Sequence, residues 1–188
     1  MAMQLGNGIT LKGYLLYEAR DVASLKGMYT SYLLEEYERI SELAFGNPTA
    51  GYLVTSFIRS GGEDVGFVSL DHGQRAVELV YVKPEHRGKG LARVVLEELN
   101  RICPQTLALK TPLSPGGEAL ASTLGLERAD NLPHEEAKNQ ESLRIMREGI
   151  KRTCQHKGKG RQGGDPRKLC RRCYQTALRK YANAVIDR

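Results

Sequence analysis

Cysteine is scarce in this chain, four in 188 residues, and that scarcity excludes a small secreted fold framed by disulfides. Long apolar runs are missing as well. The most apolar stretch, Ala76 to Val82, is interrupted by Glu78 and falls well short of the roughly 18–20 residues that span a bilayer, so no membrane helix is expected. Residues 1–10 have neither the basic patch nor the apolar run of a secretory leader, and the expected compartment is the cytosol. Repeats are absent, and the only low-complexity tract, the Lys/Arg/Gly-rich Gly158 to Gly164, has loop composition.

What is present is globular, at 40% hydrophobic and 27% charged residues, and 188 residues hold one ordinary domain plus a small appendage. The charge is unevenly placed. Residues 1–150 carry 16 basic and 20 acidic side chains, a net −4, whereas residues 151–188 carry 12 and 2, a net +10. Two electrostatically different pieces are joined.

Tyr14-Leu15-Leu16-Tyr17 has the composition of a strand. Residues 21–44 read as a helix, with Leu33, Tyr37, Ile40 and Ala44 along one face and Glu35, Glu38 and Glu42 on the other. That acidic row either attracts a cationic acceptor or is a solvated face. Strands follow at about 51–59, 64–70 and 76–82, then a loop from Lys83 to Gly90, a helix over 90–102 and a strand from Thr106 to Lys110. Ser114-Pro115 places a helix N-cap and first-turn proline, and Gly125 a left-handed C-cap after Leu124. Residues 134–152 suggest a further helix. The order is β-α(α)-β-β-β-α-β-α.

The most informative segment is Val80-Tyr81-Val82-Lys83-Pro84-Glu85-His86-Arg87-Gly88-Lys89-Gly90-Leu91-Ala92. A strand ending in a Gly-rich turn that opens a helix exposes backbone N–H groups at the positive end of the helix dipole, which binds phosphate oxygens. Gly88 and Gly90 let an anion approach the backbone, and Arg87 and Lys89 add positive charge. This segment resembles the acyl-CoA signature of the GNAT N-acetyltransferase superfamily, Arg/Gln-x-x-Gly-x-Gly/Ala, with Arg87, Gly90 and Ala92 in place and Val82-x-Pro84 just upstream. The element order from Tyr14 to Leu124 matches the same family. The fold class implied is α/β: a GNAT-like mixed central sheet flanked by helices, followed by a small C-terminal zinc-binding module.

The resemblance implies acetyl-CoA as cosubstrate. Its pyrophosphate would lie on the amides of Arg87, Gly88, Lys89, Gly90, Leu91 and Ala92, and its pantetheine arm along Val80, Tyr81 and Val82. Ser114 is either a polar contact to that arm or simply the helix N-cap. On the acceptor side an amine must lose a proton to attack, and strand alternation puts Glu78, Val80 and Val82 on one face, with Val77, Leu79 and Tyr81 on the other. A carboxylate in an apolar strand costs stability unless it is paired or functional. Glu78 is therefore either the general base or a salt-bridged or edge residue. Two departures from the family stand out. The tyrosine that often protonates the leaving thiolate is replaced by Ala121, four residues before Gly125-Leu126, and a helix-like connector follows where the family usually adds two strands.

In the tail, Cys154-x-His156, thirteen residues, then Cys170-x-x-Cys173 gives two close pairs of soft or imidazole ligands, the arrangement of a tetrahedral structural Zn²⁺. The segment after Lys168 looks like the second knuckle and helix of a treble-clef finger. A nuclease reading fails, because beyond His156 the tail has no histidine. Its clustered cations favour nucleic acid or an acidic protein surface as partner of residues 151–188. The expected organisation is a GNAT-like acyl-CoA-binding domain over 1–132, a helical connector over 133–152 and a basic zinc module over 153–188. The expected activity is acetyl transfer to an amine of a macromolecule. The alternatives are a GNAT-like binding or regulatory protein with little turnover and a small-molecule amine acetyltransferase.

Overall fold

Alternating apolar side chains at the N-terminus pair before any helix forms. Strands β1 (Ala2–Gly6) and β2 (Ile9–Gly13) make an antiparallel hairpin, and Met3, Leu5, Ile9 and Leu11 turn their side chains to the core. The expected strand at Tyr14–Tyr17 does not form. Tyr14 N donates to Thr55 O at 2.9 Å, which extends the β2 ladder by one step. The chain then turns, leaving Leu16 and Tyr17 exposed. A four-residue apolar cluster without alternation has no second sheet face to bury, so periodicity at residues 2–13 is the better signal.

The computed structural model describes residues 2–39, 46–71, 73, 76–103, 105–130 and 171–186, with positions 132, 133, 136, 137, 140 and 144. After the hairpin come α1 (Ala19–Arg39), β3 (Leu53–Ser60), β4 (Glu63–Asp71) and β5 (Ala76–Val82). Then follow α2 (Leu91–Ile102), β6 (Ala108–Lys110), α3 (Pro115–Leu124), β7 (Glu127–Ala129) and α4 (Arg171–Ile186). The seven strands form one sheet in sequence order, antiparallel from β1 to β5 and parallel from β5 through β7. The mixed sheet is the expected one. Strand β7 is an addition, lying parallel to β6 directly after Leu126, where no strand was expected.

Two compact units divide the chain: Met1–Met28 with Pro48–Asn131, and Tyr29–Asn47 with Leu132–Arg188. In the first, one sheet face packs on α2 and α3. Leu91, Val95, Leu96 and Leu99 of α2 meet Val68, Leu70, Val77 and Val82 of β4 and β5, with Ala121 of α3 in the same cluster. The other face carries Phe57, Phe67 and Tyr81, the last two with ring centroids 5.9 Å apart. The first turns of α1 are tied to the sheet by polar contacts. Buried Asp21 pairs with Lys12 and accepts from Leu15 N at 3.2 Å, and Ser24 donates to Asp64 at 3.0 Å. In the second unit, Tyr29 donates to Gly46 O at 2.8 Å, and α4 buries Cys173, Ala177, Leu178, Ala182 and Ile186 along one stripe. Expectations for 40–45 and most of 134–152 fall outside the described residues.

The pairing of β4 with β3 carries a one-residue bulge. Ile58 faces Gly66 and Arg59 faces Asp64, so Val65 is an extra residue on β4. At Gly66 the backbones approach so closely that a Cβ would lie 2.2 Å from Tyr81 O. Gly66→Ala should therefore destabilise the protein by about 3 kcal/mol through overpacking. Gly27→Ala in α1, where a Cβ meets nothing within 4 Å, should instead add up to about 1 kcal/mol by helix propensity. Urea denaturation of both variants checks the contrast in sign.

Candidate active site

Strands β5 and β6 part company almost as soon as they pair. Their register has two positions, Ala76 with Ala108 and Val77 with Leu109, while β5 continues to Val82 beside β4. Residues 78–82 thus present one backbone edge with no strand on it among the described residues. An edge without a neighbouring strand is where an extended arm can lie alongside a backbone. Val80, Tyr81 and Val82, the residues expected to take a pantetheine arm, lie on that edge.

The edge leads directly into the loop. Lys83 N donates to the bulge carbonyl Val65 O at 2.9 Å, and Pro84–His86 form one 3-10 turn, closed by His86 N to Lys83 O at 2.9 Å and Arg87 N to Pro84 O at 3.2 Å. Gly88 and Gly90 have φ of 75° and 73°, values that glycine adopts without penalty. Gly90 is the N-cap of α2, no side chain caps it, and the first turn has no acidic residue. The N–H groups that open α2 therefore point outward at the positive end of the dipole. The buried stripe of α2 fixes their direction.

Arg87 does more than add charge. Its Nε donates to Val82 O at 2.8 Å, and its guanidinium carbon lies 5.5 Å from the Tyr81 ring centroid. The side chain folds back and braces the loop against the end of its own strand. Lys89 is exposed. Ser114 is the N-cap of α3, its hydroxyl accepting from Gly117 N at 3.0 Å, and that bond leaves the hydroxyl proton available to donate.

Glu78 lies where the two strands separate, and the alternation expected around it does not hold. Ser69 faces Leu79 and Leu70 faces Val77, so Glu78 is the extra residue of a one-residue bulge. Val77 consequently shares the α2-facing core with Val80 and Val82. A bulge shifts every following side chain to the opposite face, which simple period-2 counting cannot anticipate. Glu78 is half-buried, with Oε2 shielded from solvent.

Sequence reasoning missed two residues here. Gly66 carried a legible signal, since glycine inside a strand pattern marks a bulge or close backbone approach. Lys110 is 6% exposed, stands one step beyond the last β5–β6 pair, and its Nζ reaches Asp130 O at 3.4 Å. Nothing in the local pattern singles it out. Ala121, at the family's tyrosine position, is 1% exposed within the core. Of the four expected zinc ligands, Cys154, His156 and Cys170 fall outside the described residues. Cys173 is buried in the first turn of α4, and the described residues contain no group of three or more metal-ligating side chains. No helix among them is long and apolar enough to cross a membrane.

Comparison with known proteins gives the family. The model of the acetyltransferase (GNAT) family matches residues 17–113, and the chain belongs to that family. Among solved structures it is similar to the crystal structure of ribosomal-protein-alanine N-acetyltransferase from Brucella melitensis biovar Abortus 2308. The identity is 24%, 66% of this chain and 95% of that one are covered, and the TM-score is 0.44. The comparison with curated proteins found no match.

The Arg87 brace makes a prediction independent of any ligand. Arg87→Ala should speed hydrogen exchange at the His86 and Arg87 amides by about tenfold, the equivalent of ~1.4 kcal/mol of local stability, while amides in the middle of α2 keep their protection. Exchange measured by mass spectrometry or NMR reads this out.

Proposed function

We propose that the protein transfers an acetyl group from acetyl-CoA to an amine of a macromolecular acceptor. The observation that carries this reading is the edge of β5 beyond Val77, on which no strand pairs among the described residues, running into helix amides that no side chain caps. It offers a thioester arm a strand to lie along and a pyrophosphate a dipole to end on. The amides of Gly88 to Ala92 would take the pyrophosphate, that of Arg87, also expected there, being already given to Pro84 O; Val80 to Val82 would take the pantetheine, and the Ser114 hydroxyl a polar group of the arm. The acceptor amine attacks the thioester carbonyl, its surplus proton passes to Glu78 directly or through water, and the C–S bond breaks to leave CoA thiolate and an amide. A buried Ala121 supplies no acid, so the thiolate leaves unprotonated or takes a proton from solvent.

The recruiting part of the reading rests on residues 153–188, joined by 133–152 to the acyl-CoA domain over 1–132. Cys154, His156, Cys170 and Cys173 fit a structural Zn²⁺ in their donor chemistry. Cys173 is buried in the first turn of α4, and a soft sulfur held on a rigid element is the donor type that a structural zinc uses. The metal would supply a cross-link to a segment too small to fold on its own core. The module would then present its cations to nucleic acid or to an acidic protein surface. Replacement of the family tyrosine by Ala121 favours a second reading, a binding or regulatory protein of little turnover. A small-molecule acceptor would leave the module without a use.

Calorimetry should detect acetyl-CoA binding that Gly90→Asp abolishes, since a carboxylate there repels phosphate and a side chain at positive φ is strained. With an acceptor in hand, Glu78→Gln should lower thiol release by about 10²-fold or more. Binding without turnover selects the regulatory reading, and no binding rejects both. Elemental analysis should find about one zinc per chain, lost in Cys170→Ser.

A further inference from the structure

We propose that the solvent face of α4 binds the phosphodiester backbone of a nucleic-acid duplex; this rests on the reading of residues 153–188 as the recruiting module. Helix α4 divides cleanly. Cys173, Ala177, Leu178, Ala182 and Ile186 are buried, and the exposed polar residues are Arg172, Thr176, Arg179, Lys180 and Asn183. The exposed set repeats at i, i+4, i+7, i+8 and i+11, a single stripe along one side of the helix. Residues 171–186 contain no acidic side chain, so the cations of the stripe have no counter-charge on their own helix.

The chemistry of the stripe discriminates between partners. A protein interface is anchored by aromatic and apolar side chains at its centre. Here the large apolar residues point inward, the one exposed apolar side chain among those described is the methyl of Ala184, and Tyr181, the only aromatic among the described side chains of α4, is half-buried. Single-stranded nucleic acid is held chiefly by stacking on exposed aromatics, which the described face does not offer. What it offers is two guanidinium forks and an ammonium within about 12 Å of helix length, given 1.5 Å of rise per residue, with Asn183 as a neutral hydrogen-bonding group in line. Guanidinium pairs with phosphate in bidentate fashion. Duplex nucleic acid supplies phosphates at that density on a stiff support.

Burial of the inner stripe leaves Arg172, Arg179 and Lys180 replaceable without loss of core packing, which makes the test direct. Full-length protein and the variant Arg172→Gln/Arg179→Gln/Lys180→Gln are titrated by fluorescence anisotropy against labelled duplex DNA, duplex RNA and poly-glutamate. With three phosphates no longer neutralised, the slope of log K against log [salt] for DNA should become shallower by about 2.7, measured from roughly 50 to 200 mM KCl. The single variant Arg179→Gln should account for about 0.9 of that change. Preference for one duplex over the other identifies the source of the phosphates. Equal slopes for the natural and triple-variant proteins, no binding of either duplex, or tighter binding of poly-glutamate would overturn the proposal. Acetyl-CoA calorimetry on the same samples should be unchanged. Absence of acetyl-CoA heat would remove the acetyltransferase reading while leaving the anisotropy result to stand on its own.

Discussion

The site depends on one backbone contact, the approach of Gly66 to Tyr81 O. A strand end is ordinarily free to fray, yet β5 must hold its last residues in place with no strand along the edge facing β6. Strand β4 does the holding. Because Gly66 has no side chain, β4 closes to a distance that a Cβ would forbid. The bulge at Val65 then turns a carbonyl toward Lys83. From there the loop has little freedom: a single 3-10 turn, two glycines and the buried stripe of α2 fix where the helix amides point. Arg87 completes the circuit by returning to Val82 O. Pre-set donors of this kind bind an anion without the entropic cost of ordering a loop.

The second bulge addresses a different difficulty. An acidic side chain in the middle of an apolar strand must either be desolvated or displace a core residue, and both are costly. Inserting Glu78 as the extra residue lets Val77 take the core position beside Leu70, so the hydrophobic layer against α2 stays continuous. The carboxylate is left where β5 and β6 separate. The same divergence that opens the backbone edge therefore brings a titratable group to its base, with the Lys110 backbone as the next position across the gap.

Strong local signals make much of this legible in the sequence. Ser114, Pro115 and Gly125 delimit α3 at the expected residues, the apolar repeat of α2 is unmistakable, and β5 begins and ends as read. The glycine loop is legible because its chemistry is local, a strand, a turn and a helix start within a dozen residues. What stays hidden depends on pairing between distant segments. Nothing near Glu78 announces a bulge, since the slip exists only relative to β4. Likewise Arg87 reads as free charge until Val82 and Tyr81 are seen beneath it. The N-terminal hairpin escapes notice for the opposite reason: Tyr14 to Tyr17 is the richer apolar cluster, but alternation over residues 2–13, not apolar content, decides which segment enters a sheet.

Charge segregation between the two parts of the chain has a physical consequence for such a site. Residues 1–150, which include the proposed anion-binding loop, carry a net −4, so their long-range field disfavours polyanions. A helix terminus acts over a shorter distance, within the first turn, and at physiological salt fields fade over about 8 Å. A small phosphate group that reaches the amides is held there, while an extended polyanion meets net repulsion along the rest of the surface. In the proposed reading, the 12 cations of residues 151–188 would supply the attraction that residues 1–150 lack. Had the same charges been spread evenly, any polyanion would compete for the loop. Placing them in one appended segment would let the proposed phosphate-binding loop and the proposed polyanion-binding surface exist in one chain without sharing a ligand.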